Sequence, residues 1–391
     1  YYQNHDKLNM ALKACRLALE HFSFSVDLFM ETADVLVKLE RFEEAIELMD
    51  HALMYQPNDP ELLMLKGSIH AMISDYHEAI ACYKIAVDSI EDKDEVYYSI
   101  GIAYQGLEQY KEASDYYKLA IEHNILNENA LYELAYCLDI MGELESSLAY
   151  YQQFIDQDPY SEYAWFNLGN IYFKLNNYKK AVESFEFAIA IDDEYSSAYT
   201  NHGESNLKLE KYELSKASFY RSLELDGPSP EIYSAIGRAY YYLEDYSSSI
   251  DYFQKSIKID QFFKESYYWL GKSLVALDKW FEAIHYFKKA HKFNTENIEY
   301  IKSLAFAEFK VGNMVSSIDL YTIALEKEPS DFKTALEFSS IYHESGDIDK
   351  AICIIEDAID ESPSESLLYY RLVIYLMDAG KYKESINVLE S

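Results

Sequence analysis

Two kinds of side chain in the middle of this chain could do binding chemistry, and they recur at one interval. Asn167 and Asn201 stand 34 residues apart. A side-chain amide offers donor and acceptor together, so such residues can hold a peptide backbone without reading its sequence. Lys174 and Lys208 repeat the same interval, as do Arg238 and Lys272, with Lys302 and Lys310 further on. A row of cations would attract and orient carboxylates. Tyr241, Tyr268 and Trp269 lie among them and could anchor the apolar parts of a ligand. Catalytic chemistry finds no comparable support. The chain has no GxGxxG, GxxxxGKS/T, GxSxG or HExxH motif; His77-Glu78 is followed by Ala79-Ile80-Ala81. The 10 histidines form no cluster at metal-ligand spacing. The expectation is a chain without an active site, a metal or a cofactor.

The whole sequence must position those residues. At 391 residues, length alone suggests two or three domains of about 150 residues each. With only 12 Gly and 7 Pro, however, the chain can make few sharp turns, which favours helices on short connections over a many-stranded β fold. Hydrophobic residues at 49% and aromatics at 16% exclude intrinsic disorder. The 34 Lys+Arg against 68 Asp+Glu leave a formal net charge of −34, a poor general binder of nucleic acid or of anionic membrane. No apolar run is long enough to span a bilayer, so no membrane insertion is expected. Cys15, Cys82, Cys137 and Cys353 lie far apart and form no CxxC; they fit reduced core thiols of an intracellular, cytoplasmic protein.

Internal repetition decides the fold class. Ala33, Gly67, Gly101, Ala135, Gly169, Gly203, Gly237, Gly271, Ala305 and Ser339 are spaced by 34, with Val373 in the next slot. A second small series, from Ala45 to Ser385, follows 12 residues behind the first. A large apolar series runs Met49, Tyr83, Tyr117, Tyr151, Phe185, Phe219, Phe253, Phe287, Tyr321, Ile355, Leu389, and a further small one runs from Ala52 to Ala358 with Phe154 as its exception. Small residues at fixed places let two helices approach closely. Polar turns followed by an aromatic, such as Asp75-Tyr76, Asp245-Tyr246 and Lys279-Trp280, separate the two helices of a unit. Pro57, Pro159, Pro329 and Pro363 stop the second helix. Each unit is thus one antiparallel hairpin, which must stack on its neighbours to bury its faces. Gly227-Pro228-Ser229-Pro230 keeps the phase and fits a stiff inter-unit turn.

This pattern resembles the tetratricopeptide repeat family along the whole chain. In that family slot 4 is large, 7 Leu, 8 Gly/Ala, 11 Tyr, 20 Ala, 24 Phe/Tyr, 27 Ala and 32 Pro. Residues 162–195 match closely through Trp165, Leu168, Gly169, Tyr172, Ala181, Phe185 and Ala188, although Asp193 replaces the proline. Leu36 and Glu308 depart from the tyrosine of slot 11. The resemblance implies an all-α, right-handed superhelical solenoid. Its full repeats are 26–59, 60–93, 94–127, 128–161, 162–195, 196–229, 230–263, 264–297, 298–331 and 332–365, with partial repeats at 1–25 and 366–391. In that phase Tyr1 and Tyr2 take slots 10 and 11, Ala11, Cys15 and Ala18 take slots 20, 24 and 27, and Ser391 takes slot 26. Neither end carries a polar cap, so a piece of a longer protein is expected.

By the same resemblance, slots 2, 5, 6, 9, 12 and 13 of the first helices line a concave groove that holds extended peptides; the acids of slot 2 (Glu61, Glu95, Glu231, Glu265, Glu299) sit at helix N-termini, are explained by the helix dipole and are set aside. The N-terminal repeats supply Met30, Asp34, Met64, Leu65, Met72, Tyr98, Ile102, Tyr132, Tyr136 and Asp139, an apolar stretch with some acid. Repeats 162–331 supply Asn167, Asn170, Lys174, Asn201, Lys208, Arg238, Tyr241, Tyr242, Tyr268, Trp269, Lys272, Lys302, Phe306, Phe309 and Lys310, with Glu204 the one acid among the remaining slots. The two-carboxylate clamp of chaperone-binding members does not fit. Asn170 and Asn201 match two of its places, but Phe166, Glu231 and Ala235 occupy the others. The resulting expectation is a non-catalytic protein–protein interaction scaffold that binds an extended, acidic or mixed peptide segment of a partner. Two alternatives stay open: a self-associating scaffold using Met64, Leu65 and Met72, or the substrate-recruiting part of a longer enzyme.

Overall fold

The computed structural model describes residues 2–22 and 25–390; Tyr1 and Ser391 lie outside them. The described elements are helices throughout, without a strand. The chain divides into two compact units. The first, Tyr1–Ala198, holds α1 (Tyr2–His21) and the hairpins α2 (Val26–Lys38) with α3 (Phe42–Tyr55), α4 (Pro60–Met72) with α5 (Tyr76–Ala86), α6 (Asp94–Gly106) with α7 (Tyr110–His123), α8 (Glu128–Ile140) with α9 (Leu144–Gln157), and α10 (Glu162–Lys174) with α11 (Tyr178–Ile191). The second, Tyr199–Ser391, takes most of α12 (Ser196–Lys208), then α13 (Tyr212–Asp226), α14 (Pro230–Tyr242) with α15 (Tyr246–Ile259), α16 (Lys264–Ala276) with α17 (Trp280–Phe293), α18 (Ile298–Lys310) with α19 (Met314–Lys327), α20 (Phe332–Glu344) with α21 (Ile348–Glu361), and α22 (Ser366–Asp378) with α23 (Tyr382–Glu390). Within each unit, consecutive helices pack pairwise in chain order, the all-α hairpin solenoid that the periodicity requires.

The hairpin turn is built the same way each time. The last residue of the turn donates its N–H to the carbonyl five residues earlier: Asp75 to His70 at 2.9 Å, Asn177 to Tyr172 at 2.8 Å, Lys279 to Leu274 at 2.9 Å. This is a Schellman closure, and the residue just before the donor takes a left-handed conformation. Glycine stands there at Gly142, Gly312, Gly346 and Gly380, whereas Glu40, Ser74, Glu108, Asn176, Glu210, Glu244 and Asp278 adopt positive φ with a side chain. Side-chain caps start the first helices, as with Asp59 on α4, Ser161 on α10, Ser229 on α14 and Asn297 on α18.

The core explains the small series. A Cβ at Gly169 would come 2.6 Å from Cε1 of Phe185, and one at Gly271 would come 2.5 Å from Cε1 of Phe287. The aromatic ring of the second helix therefore lies flat on the first helix at its bare backbone. Phe185, Phe219, Phe253 and Phe287 are fully buried, each worth about 2–3 kcal/mol of transfer free energy. Where Ser replaces Ala twelve residues on, Ser147 donates to the Ala135 carbonyl at 2.7 Å and Ser249 to that of Gly237 at 2.9 Å, whereas the hydroxyls of Ser215 and Ser317 are buried without a hydrogen-bond partner among the described residues.

Three details differ from the sequence expectation. Residues 2–21 form one uninterrupted helix where the repeat phase called for a turn near residues 6 and 7; no Gly or Pro stands there to break it. Cys353 is exposed, beside Asp357, while Cys82 and Cys137 are core residues; its slot on α21 faces outward, away from the hairpin seam. Glu308, in the tyrosine slot, is only 1% exposed; it forms an ion pair with Lys288 at 2.7 Å and accepts from the Asn313 amide at 2.5 Å. None of the described helices is long and apolar enough to cross a membrane.

Candidate peptide-binding face

The side chains singled out by the sequence all sit on first helices, and the repeat sets the column each one occupies. In the first unit, Asn167 on α10 turns its amide inward. Its Nδ2 donates to the hydroxyls of Tyr132 at 2.8 Å and Tyr151 at 3.1 Å, so those donors are already committed. Lys174, one helical stretch on, reaches both oxygens of Asp139 at 2.7 and 2.8 Å. Asn170 is half-buried and already partnered; Asn201, in the second unit, is likewise.

The second unit carries the remaining candidates. Arg238 on α14 meets the Glu204 carboxylate with both terminal nitrogens, Nη1 to Oε2 at 3.2 Å and Nη2 to Oε1. Lys302 on α18 bridges Asp331 at 2.8 Å and Glu299 at 3.1 Å. Burial works against the charge on both Lys302 and Asp331, yet the bond between them prevails: the amine is held above its usual range and the carboxyl below. Lys208 is exposed at the end of α12, and Lys310 lies over the rings of Phe306 at 5.2 Å and Phe309 at 5.7 Å.

Lys272 on α16 differs from all of these. Its Nζ lies 4.8 Å from the ring centre of Trp269, 5.5 Å from that of Tyr241 and 5.6 Å from that of Tyr268. No carboxylate of the described residues pairs with it, and burial pulls its amine below the usual lysine range. Cation–π attraction of order 0.5–2 kcal/mol per ring is what keeps the charge there. The rings support one another, with Tyr241 and Trp269 edge-to-face at 5.3 Å and Tyr242 against Trp269 at 5.8 Å. Tyr212 stacks on Tyr242 at 5.1 Å. Beside the amine opens a cavity of about 260 Å³ between α16 and α18, lined by Tyr241, Lys272, Val275, Phe287, Ser303 and Phe306. The arrangement can take a carboxylate on Lys272 and an apolar side chain next to it.

The continuous cationic row expected from the sequence is therefore interrupted, because Lys174, Arg238 and Lys302 are neutralised within the protein. Asp139 and Glu204 are themselves groove-slot acids one repeat before the cations they hold, so residue type alone did not reveal the pairing. Asp139 belongs to the preceding repeat, and Asp331 is the N-cap of α20. Tyr212 was also missed, because it opens a second helix and its stacking partner, Tyr242, belongs to the next repeat. No group of three or more His, Cys, Asp or Glu able to hold a metal occurs among the described residues.

Comparison with known proteins bears on the fold. Tetratricopeptide repeat profiles match residues 30–94, 98–162, 162–195, 196–228 and 230–263. A segment of 74 residues is 34% identical to Superkiller protein 3 of Saccharomyces cerevisiae; the match takes in 19% of this chain and 5% of that much longer protein. Among solved structures, the crystal structure of the APC/C hetero-tetramer Cut9–Hcn1 aligns over 96% of this chain and 88% of its own, with a TM-score of 0.50 and 15% identity. The crystal structure of the yeast Tom70 aligns over 98% and 94% with a TM-score of 0.49 and 15% identity. With repeat profiles covering most of residues 30–263 and hairpin geometry continuing in phase to α23, the chain belongs to the tetratricopeptide repeat family.

Proposed function

We propose that the chain is a protein-interaction scaffold whose first helices in the second unit hold an extended segment of a partner, with a carboxylate of that segment seated on Lys272. A repeat fold with hairpins of constant length supplies a long surface and no insertion to build a reaction site, which suits binding rather than catalysis. The observation that carries the assignment is Lys272 itself: a desolvated cation, ringed by Trp269, Tyr241 and Tyr268, without a carboxylate of its own and beside a cavity of about 260 Å³. A ligand carboxylate would complete a charge-assisted hydrogen bond that the fold leaves unmade. Its neighbouring apolar side chain would bury against Phe306 and Val275. Backbone amides of the segment could meet Asn201, as the slot-6 asparagines suggested, but the anchor is the lysine.

Fluorescence anisotropy with a short capped peptide carrying a Leu-Glu pair tests this on the full chain. Lys272→Met and Trp269→Ala should each weaken binding by about tenfold, and the Leu-Gln version of the peptide should bind the parent protein as weakly as the Leu-Glu peptide binds the methionine variant. Equal binding of both peptides by parent and variant would refute the assignment.

A further inference from the structure

A second concavity lies on the other set of helices in the same unit, and its chemistry is the reverse. Between α19 and α21 a groove of about 450 Å³ opens over α20. Its floor is apolar: Ala335, Phe338 and Ala358 are buried, and Leu325 and Ile354 are half-buried along its sides. Its rim carries Glu326, Asp357, Asp360 and Glu361, all exposed, and its lining includes no Lys, Arg or His. Asp357 meets only the Cys353 thiol, at 3.8 Å; Glu326, Asp360 and Glu361 form no ion pair among the described residues.

The helix ends sharpen the charge argument. A helix C-terminus exposes carbonyl oxygens and a partial negative charge, so cations belong in its last turn. The last turn of α21 has no basic residue and carries Asp360 and Glu361 instead. The last turn of α19 has Lys327, but its amine is drawn away to Glu296 at 2.5 Å. Two helix ends and four carboxylates thus face one apolar groove with nothing to neutralise them. Other helices, α9, α11 and α13 among them, also lack a basic last turn; what sets this groove apart is that its carboxylates converge on an apolar floor.

We infer that this groove is a docking site for a lysine or arginine side chain, flanked by an apolar residue, on a segment of a partner protein. The methylene stem of such a side chain would lie on Phe338 and Ile354, while its charged head reaches Asp357 and Asp360. A second copy of this chain is disfavoured as occupant by its formal net charge of −34. A bare metal ion is disfavoured because these carboxylates form no metal-capable group. The site does not depend on Lys272 and selects the opposite charge.

The test is anisotropy on the full chain with a short capped peptide carrying Arg-Leu-Leu-Lys in a Gly-Ser background, and with its Gln-Leu-Leu-Gln counterpart. The basic peptide should bind at least about tenfold more tightly than the neutral one, with an affinity that falls as salt rises. Asp357→Asn combined with Asp360→Asn should remove that difference, and Thr322→Trp should block the groove without altering its charge. Equal binding of the two peptides, indifference to both groove variants, displacement by calcium at equimolar peptide, or sedimentation showing that the parent protein dimerises through this groove would each overturn the assignment.

Discussion

Lys174 in the first unit and Lys272 in the second are both first-helix lysines on the face where family members hold peptides, and they end in opposite states. Lys174 is clasped by Asp139 from the repeat before. Lys272 has Arg238 at the equivalent place one repeat before, Phe306 one repeat after, and Arg238 has already taken Glu204. For these two lysines the difference lies about one repeat away. A cation with an acid a period upstream is closed; a cation between a paired arginine and a phenylalanine is open.

The largest effect expected from substitution falls on neither lysine but on the seam beneath both. Gly169→Val in the first unit and Gly271→Val in the second each force a branched side chain into a phenylalanine ring, and each should cost about 2–3 kcal/mol in denaturant unfolding. Equal losses would show that the same glycine–phenylalanine seam holds the hairpins of each unit, so that they differ on the face; an unchanged midpoint for either would break that claim. Next in size, Phe306→Glu gives Lys272 the partner that Lys174 already has, and should weaken the Leu-Glu peptide by about tenfold while the helical content stays. The reverse experiment is Asp139→Asn, which releases Lys174. It should cost less than about 1 kcal/mol of stability, since the pair is exposed, and should add a weak acidic-peptide site to the first unit, read as a second binding phase.

The smallest effect is on pH dependence. Burial lowers the Lys272 amine below its usual range. Below that lowered value both the folded and unfolded chains hold the proton, and the folded one bears a disfavoured charge. Between the lowered and the ordinary value the folded chain releases the proton and the unfolded chain keeps it, so stability rises with pH across that window. Binding of the Leu-Glu peptide should fall in the same window, and Lys272→Arg, which does not titrate there, should hold its affinity. Coincident pH profiles for lysine and arginine would show that Lys272 is not the group engaged.

The hairpins were legible because their determinants are local and periodic. Gly169 against Phe185 and Ser249 against the Gly237 carbonyl are contacts between fixed slots of one repeat, so spacing alone reveals them. The face was legible in residue type but not in pairing. Asn167 reads as a free amide until Tyr132 and Tyr151 take its donors. Lys302 reads as a free cation until the cap residue Asp331 turns towards it. Those partners lie a repeat or so away, and which of several acids a flexible lysine reaches is set by rotamers and helix crossing rather than by slot number. The cage around Lys272 was half visible, since Tyr241, Tyr268 and Trp269 were named together with it while the cavity beside them was not.

Seven of the hairpin turns place a residue with a side chain in the left-handed region, at Glu40, Ser74, Glu108, Asn176, Glu210, Glu244 and Asp278. Each carries a steric cost of about 1 kcal/mol that glycine would remove, less the extra freedom glycine has in the unfolded chain. Because each turn is closed by bonds within its own hairpin, such replacements are independent and their gains should add. The array thus holds an unspent margin of heat resistance, distributed turn by turn along the chain and separable from the side chains of the two proposed binding sites.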